Sequence, residues 1–425
     1  MCSWRRRRLV TPSLGSQAHS QFARGKNGRS NLDTTATRDA TRHRCDDSWT
    51  DVDQGGLEQV SRADRIASLT GIRAVAALLV MGTHAAYGTG EYNHGYLGLM
   101  YSRLEIGVAI FYVLSGLLLF GPWMQVNATR AAPPQVRRYA WNRVRRIMLA
   151  YVVTVLLAYI VYHFRTPGPN PGHTWEGLVR NLTLTQIYSA DYFERYMHQG
   201  LTQMWSLAVE VAFYAVLPVL AYALLTVLCQ RRWRPVLLLT GLVALAAISP
   251  VWVIVLHTTD WLPKGAGLWL PHYLAWFVGG MIVAVLRVMG VRCRAFAAIP
   301  LAALSYLVVS TPIAGYANES VLDMGQNLAK TVGYAVIATL VVAPLALGDR
   351  GTYARLLGSR PMVWLGEISY EIFLLHVIVM EIAMVSVLRW PVYTGSMWGL
   401  FAVTLAMTVP LAWVLHRLTR PRVRA

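Results

Sequence analysis

Arg73 and His84 stand eleven positions apart in one apolar stretch, SLTGIRAVAALLVMGTHAAYG. In an α-helix eleven residues span about three turns and ~17 Å, so both side chains leave one face near opposite ends. A guanidinium at one end can grip anionic oxygens, and an imidazole at the other can take and return a proton near neutral pH. A second set lies in QMWSLAVEVAFYAVLP, where Glu210 follows Ser206 by one turn on the same face. Counted from one side of a membrane, Glu210 and His84 fall at matching depth. The carboxylate can then orient the imidazole and leave its other nitrogen as a base or a nucleophile, which makes His84 with Glu210 the expected reacting pair. Arg143 and Arg146, three apart in RRYAWNRVRRIMLAY, share a helix face that suits phosphate or carboxylate oxygens.

The stretch VWLGEISYEIFLLHVIVMEIAMV carries Glu367, Glu371, His376 and Glu381, too many ionisable groups for a helix that faces lipid. His376 falls near mid-membrane, where a proton path and a substrate-positioning site are both compatible, with Glu367 a bystander at the rim. Ser115 and Gly116, in IFYVLSG, read as a close-packing pair; no GxSxG surrounds the serine, so a hydrolase nucleophile is not expected. The four cysteines show no CxxC spacing, and neither a disulfide framework, a metal site nor a permanently bound cofactor is expected.

These groups carry meaning because of what must position them. The 425 residues are 55% hydrophobic and 14% charged, well below the roughly 25% charge of a soluble domain. The net charge of +18 comes from short clusters between apolar runs rather than one basic patch, which argues against nucleic acid as a partner. Ten apolar stretches are long enough to cross a ~30 Å hydrocarbon layer: about 69–88, 104–123, 147–164, 204–229, 235–256, 269–287, 295–313, 330–348, 362–388 and 397–416. The expected fold is an all-α polytopic bundle in the lipid bilayer of the plasma (inner) membrane. Alternate loops hold nineteen basic residues against seven, a bias that places both termini in the cytoplasm. Residues 1–65 are polar, basic and without apolar periodicity; they read as a disordered tail, 66–416 as the membrane domain, and 417–425 as a short cytoplasmic end. The PGPNPG stretch after Thr166 opens the longest outer connection, 165–203, expected as an external cap.

Taken together, TGIRAVAALLVMGTHA, IFYVLSG, WNRVRRI, WSLAVEVAFYAVLP and WLGEISYEIFLLH occur in the order of the acyltransferase 3 family, which the chain resembles over about residues 66–416. The resemblance implies a ten-span bundle that moves an acyl group, usually acetyl, from cytoplasmic acyl-CoA to a sugar hydroxyl. Envelope glycans, lipid-linked sugars and macrolides are among the family's acceptors. It places the family's first-span Arg and His on Arg73 and His84, its arginine pair on Arg143 and Arg146, its WSLxVE glutamate on Glu210, and its terminal histidine on His376. Where relatives often carry an Asp before the paired aromatics of the second span, this chain has Ala109, and Glu105 one turn earlier is the available substitute. The arginine-rich, lysine-poor phrasing looks actinobacterial, which makes an envelope glycolipid an expected acceptor. A transporter of lipid-linked sugars is the rival reading, with buried Glu and His as a proton relay. Its usual mark, Gly/Pro-broken spans in repeated halves, is not evident.

Overall fold

A bilayer offers backbone amides and carbonyls no water, and a helix satisfies them within each segment. In the computed structural model, which describes residues 48–129, 134–165, 168–317 and 322–420, every regular element among the described residues is helical. In chain order the α-helices are α1 (Ser48–Gly88), α2 (Gly95–Ser102), α3 (Ile106–Thr129), α4 (Val136–Phe164), α5 (Trp175–Leu182), α6 (Met204–Ala221), α7 (Pro235–Ala246) and α8 (Ile248–Thr258). They continue with α9 (Leu270–Val288), α10 (Ala295–Val309), α11 (Met324–Ala346), α12 (Thr352–Leu357), α13 (Arg360–Glu367), α14 (Ser369–Ile382) and α15 (Met397–Thr419). Helix α1 begins upstream of the boundary near residue 65 expected for a structureless tail, since extending a helix fixes one residue per hydrogen bond whereas starting one does not. The remainder of that tail, residues 1–47, and residues 421–425 lie outside the described residues.

Nine helical stretches among the described residues are long and apolar enough to cross a membrane, so the protein is a polytopic helical bundle. The span expected over 295–313 needs correction: α10 has 15 residues, ~22 Å of helix against a layer of ~30 Å. Arg103 explains how the chain can turn early. Its Nε donates to the Val309 carbonyl at 3.1 Å and its Nη2 to those of Ala314 and Gly315 at 2.8 and 2.5 Å. A buried helix end is thereby satisfied without further turns. Nor is 362–388 a single helix. The chain breaks at Ile368, between α13 and α14, and Ser369 Oγ donates to the Gly366 carbonyl at 2.8 Å across the break.

Two close crossings fix the walls of the site. Gly116 on α3 and Gly280 on α9 bring backbones together: a Cβ on either would stand 1.9 Å from the carbonyl oxygen of Phe277 or Val113. At that spacing Tyr112 stacks on Phe277, and Phe277 on Phe213 of α6, with ring centroids 4.2 and 4.0 Å apart. Near Arg73, a Cβ on Gly71 would meet the Leu357 carbonyl oxygen at 1.9 Å and one on Gly366 the Thr70 carbonyl oxygen at 2.0 Å. The α12–α13 corner is thus pressed against the start of the α1 span.

The 165–203 connection does more than cap. Tyr151 and Tyr159 of α4 donate to the Asn181 and Gly172 carbonyls at 2.5 and 2.6 Å, which ties the segment down. Its last residues then dip into the bundle, where buried Gln203 donates from Nε2 to the Leu374 carbonyl of α14 at 3.0 Å.

Candidate active site

Arg73, Arg143 and Arg146 line one cavity of about 890 Å³, bounded also by Ser115, Ser206, Glu210, Tyr214, Tyr370, Glu371 and Arg420. Three elements supply the arginines' setting: α1 offers Arg73 just past the Gly71 crossing, α4 the pair Arg143 and Arg146 at its polar start, and α6 the acid that faces them. Arg73 lies within electrostatic reach of Arg146, Arg143 and Glu210. The Nε of Arg143 is buried with no hydrogen-bond partner among the described residues. Cations gathered at this density repel one another and are stabilised by an anion among them.

Glu210 belongs to this cluster. Its Oε1 accepts from Ser115 Oγ and from Tyr214 Oη, each at 2.5 Å. The expected pairing with His84 is therefore a correction, and the depth of α6 is its cause. Because Gln203 bonds to Leu374, two residues before His376, α6 starts level with the middle of α14 rather than at the membrane surface. Seven further residues carry Glu210 ~10 Å toward the Arg73 end. Ser206 lies on the same cavity wall, its hydroxyl turned back to the Gln203 carbonyl at 3.0 Å.

His84 packs instead against His376, edge to face, with ring centroids 5.0 Å apart. Its Nδ1 lies 2.8 Å from the Val80 carbonyl oxygen, and that of His376 lies 2.8 Å from the Phe373 carbonyl oxygen. A carbonyl only accepts, so each Nδ1 carries the hydrogen and each neutral ring keeps a lone pair on Nε2. The Nε2 of His376 is buried and has no partner among the described residues. The carboxylate whose charge reaches His84 is Glu105, held by Lys330 Nζ at 2.6 Å and Tyr334 Oη at 3.1 Å. Neither imidazole lines the cavity; Phe373 does, and its ring stands 5.8 Å from that of His376.

Sequence reasoning missed three partnerships. Tyr214, at i+4 from Glu210, is open to it by spacing; Ser115, which reads as half of a packing pair, donates to Glu210 while Gly116 makes the close crossing. His416 donates from Nδ1 to Glu371 Oε1 at 3.0 Å, a contact across 45 residues with no local signal. Glu381 accepts from Tyr162 Oη, so it too has a partner inside the bundle. Arg103 and Lys330, two of the seven basic residues on the opposite side of the loop count, are a buried helix-end ligand and half of an ion pair.

A sequence profile described as an acyltransferase domain matches residues 66–417. The chain belongs to the acyltransferase 3 family and is a multi-pass membrane O-acyltransferase. It is similar to the protein named acyltransferase MdmB of Streptomyces mycarofaciens, 28% identical over 338 residues, which are 75% of this chain and 80% of that protein. It is also similar to peptidoglycan O-acetyltransferase OatA of Listeria monocytogenes, 22% identical over 349 residues, 75% of this chain and 50% of that protein. O-acetyltransferase OatA of Staphylococcus aureus is 24% identical over 206 residues, 44% of this chain and 31% of that protein. The chain therefore spans half or less of these OatA proteins. No solved structure matches. The transporter reading gives way to this assignment.

Proposed function

We propose that the protein takes an acyl group, acetyl in the first instance, from acyl-CoA and transfers it to a hydroxyl of a sugar, glycolipid or related envelope or secondary-metabolite acceptor. One observation carries this reading: an arginine-lined cavity has Phe373 in its wall, that ring stands 5.8 Å from His376, and His376 packs on His84 with each Nδ1 against a helix carbonyl. The phosphates of CoA dock on Arg73, Arg143 and Arg146, with Glu210 offsetting part of the arginines' mutual repulsion. The pantetheine arm runs along α1 toward Phe111 and Phe373, a course consistent with the ~17 Å between Arg73 and His84. CoA is cytoplasmic, so the Arg73 end faces the cytoplasm and the membrane is the plasma (inner) membrane. The names of two relatives, both O-acetyltransferases, support acetyl as the group moved.

At the far end His376 accepts an acceptor hydroxyl hydrogen on Nε2 and holds the acceptor against His84. The reacting hydroxyl oxygen attacks the thioester carbonyl carbon while His84 Nε2 takes its proton. The tetrahedral intermediate collapses with cleavage of the C–S bond, and the imidazolium returns the proton to the departing thiolate. Ester and CoA thiol leave, with no net proton change.

Purified protein incubated with labelled acetyl-CoA and envelope glycolipids tests this. Acceptor-dependent CoA release, with label in the acceptor, is the expected result. Label transfer from a donor other than a CoA thioester, with acetyl-CoA inert, would overturn the donor assignment. Mass spectrometry of lipids and glycans from a deletion strain identifies the acceptor by the loss of one acyl mass.

A further inference from the structure

A second carboxylate enters the cavity that the arginines and the imidazoles leave unexplained. Glu371 is 5% exposed, lies on the cavity wall, and has its two oxygens in different states. Oε1 is held by His416 Nδ1 at 3.0 Å, whereas Oε2 is buried and has no hydrogen-bond partner among the described residues. A buried carboxylate oxygen left unmatched costs its full desolvation, so a site that keeps one is built around a donor that arrives with a ligand. Helix α14 sets its depth: five residues, or ~7.5 Å along the axis, separate Glu371 from His376. In depth it sits between the arginines and the two imidazoles.

We infer that Glu371 Oε2 accepts a hydrogen bond from a pantetheine amide N–H of the donor, and that His416 is the positioning residue that holds the carboxylate for it. The inference rests on the acyl-CoA reading above. In that reading the stretch of donor passing Glu371 is the arm between pyrophosphate and thioester. Its N–H donors are two amides, the nearer one a few bonds from the sulfur. Arg420, also on this wall, donates from Nη2 to the Glu367 carbonyl at 3.3 Å.

The test compares CoA with an analogue in which oxygen replaces N–H in the amide nearer the thiol, and with one altered at the farther amide, by equilibrium binding to the purified full-length protein. A hydrogen bond to a charged group predicts that the wild type binds one analogue about tenfold more weakly than CoA. Glu371→Ala should bind that analogue and CoA alike. His416→Ala should lose most of the preference and His416→Asn, which keeps a donor, should restore it, while a purely structural role for His416 would leave the preference unmoved. If Glu371→Ala does not insert, the wild-type comparison still decides, since equal affinity for CoA and both analogues overturns the assignment. So does a full preference retained by Glu371→Ala. Failure of the wild type to bind CoA at all overturns the donor reading itself, and is told apart from the other outcomes by the first titration.

Discussion

The two ends of the polar seam solve the problem of charge in lipid in opposite ways. At the Arg73 end charges are numerous and stand around a roomy cavity, where their neighbours and an incoming anion stabilise them. At the His84 end stand two imidazoles whose Nδ1 hydrogens are already given to helix carbonyls, and the ions nearby, Glu105 with Lys330 and Arg103 with three carbonyls, have found their partners. In the proposed reading one end holds charge and the other passes a proton. Binding and chemistry would then be separated along a single helix, and substitutions at the two ends should fail in different kinetic parameters.

The largest effect tests the chemical end. His84→Ala should lower kcat by about 10³-fold, the order expected for loss of a general base, with membrane insertion and CoA affinity preserved. Acetyl transfer measured beside CoA binding checks this. Loss of CoA binding in the same variant would show that the two ends are not separate.

Arg143→Ala should raise the apparent KM for acyl-CoA by about 10- to 100-fold and change kcat little, because a charge-assisted bond to a phosphate acts in ground and transition states alike. Steady-state kinetics with varied donor read it directly. A fall in kcat of similar size at unchanged KM would place Arg143 in the chemistry.

Glu210→Gln is the sharpest test of which end the glutamate serves. Bonded to Ser115 and Tyr214 beside Arg73, it should alter the donor's KM by about tenfold and leave the pH dependence of kcat unmoved. Were it the partner of His84, the kinetic pKa of the base would shift with the substitution. The pH–rate profiles of the two proteins separate these cases.

That reassignment shows where sequence reasoning stops. The helical face shared by Arg73 and His84, the spacing of Arg143 and Arg146, and the apolar spans are local properties, and periodicity carries them. The level of Glu210 is not local. It depends on where α6 begins, which is set by a loop glutamine reaching a carbonyl of α14 some 170 residues away. Counting depth from the nearest polar residue assumes that helices start at the surface, and here one starts inside. The short α10 and the break at Ile368 escaped for a related reason, since each is tolerated only because a distant or newly freed polar group satisfies the interrupted backbone. The contacts Ser115–Glu210 and Glu371–His416 join separate helices, and nothing in either partner's neighbourhood announces the other.

The smallest effect concerns the loop that brings Gln203 inward. His198 is buried, accepts on Nδ1 from the Gly200 amide at 3.2 Å and meets His173 Nδ1 through Nε2, also at 3.2 Å. Burial, with His173 adding repulsion, pushes its pKa down to about 3. A neutral folded imidazole whose unfolded counterpart titrates near 6.5 means that the unfolded chain binds more protons below that value, so stability falls as pH drops. Between about pH 7.5 and 6 the loss amounts to about 0.8 kcal/mol, with a limiting slope of about 1.4 kcal/mol per unit toward pH 3. His198→Gln, which keeps an acceptor for Gly200, should flatten that slope in thermal unfolding of the detergent-solubilised protein. Because Gln203 follows the same loop, the variant also asks whether loosening it lets α6 rise. A kinetic pKa that became sensitive to Glu210→Gln only in the His198→Gln background would mean that the loop, and not the helix sequence, keeps the acid at the donor's end.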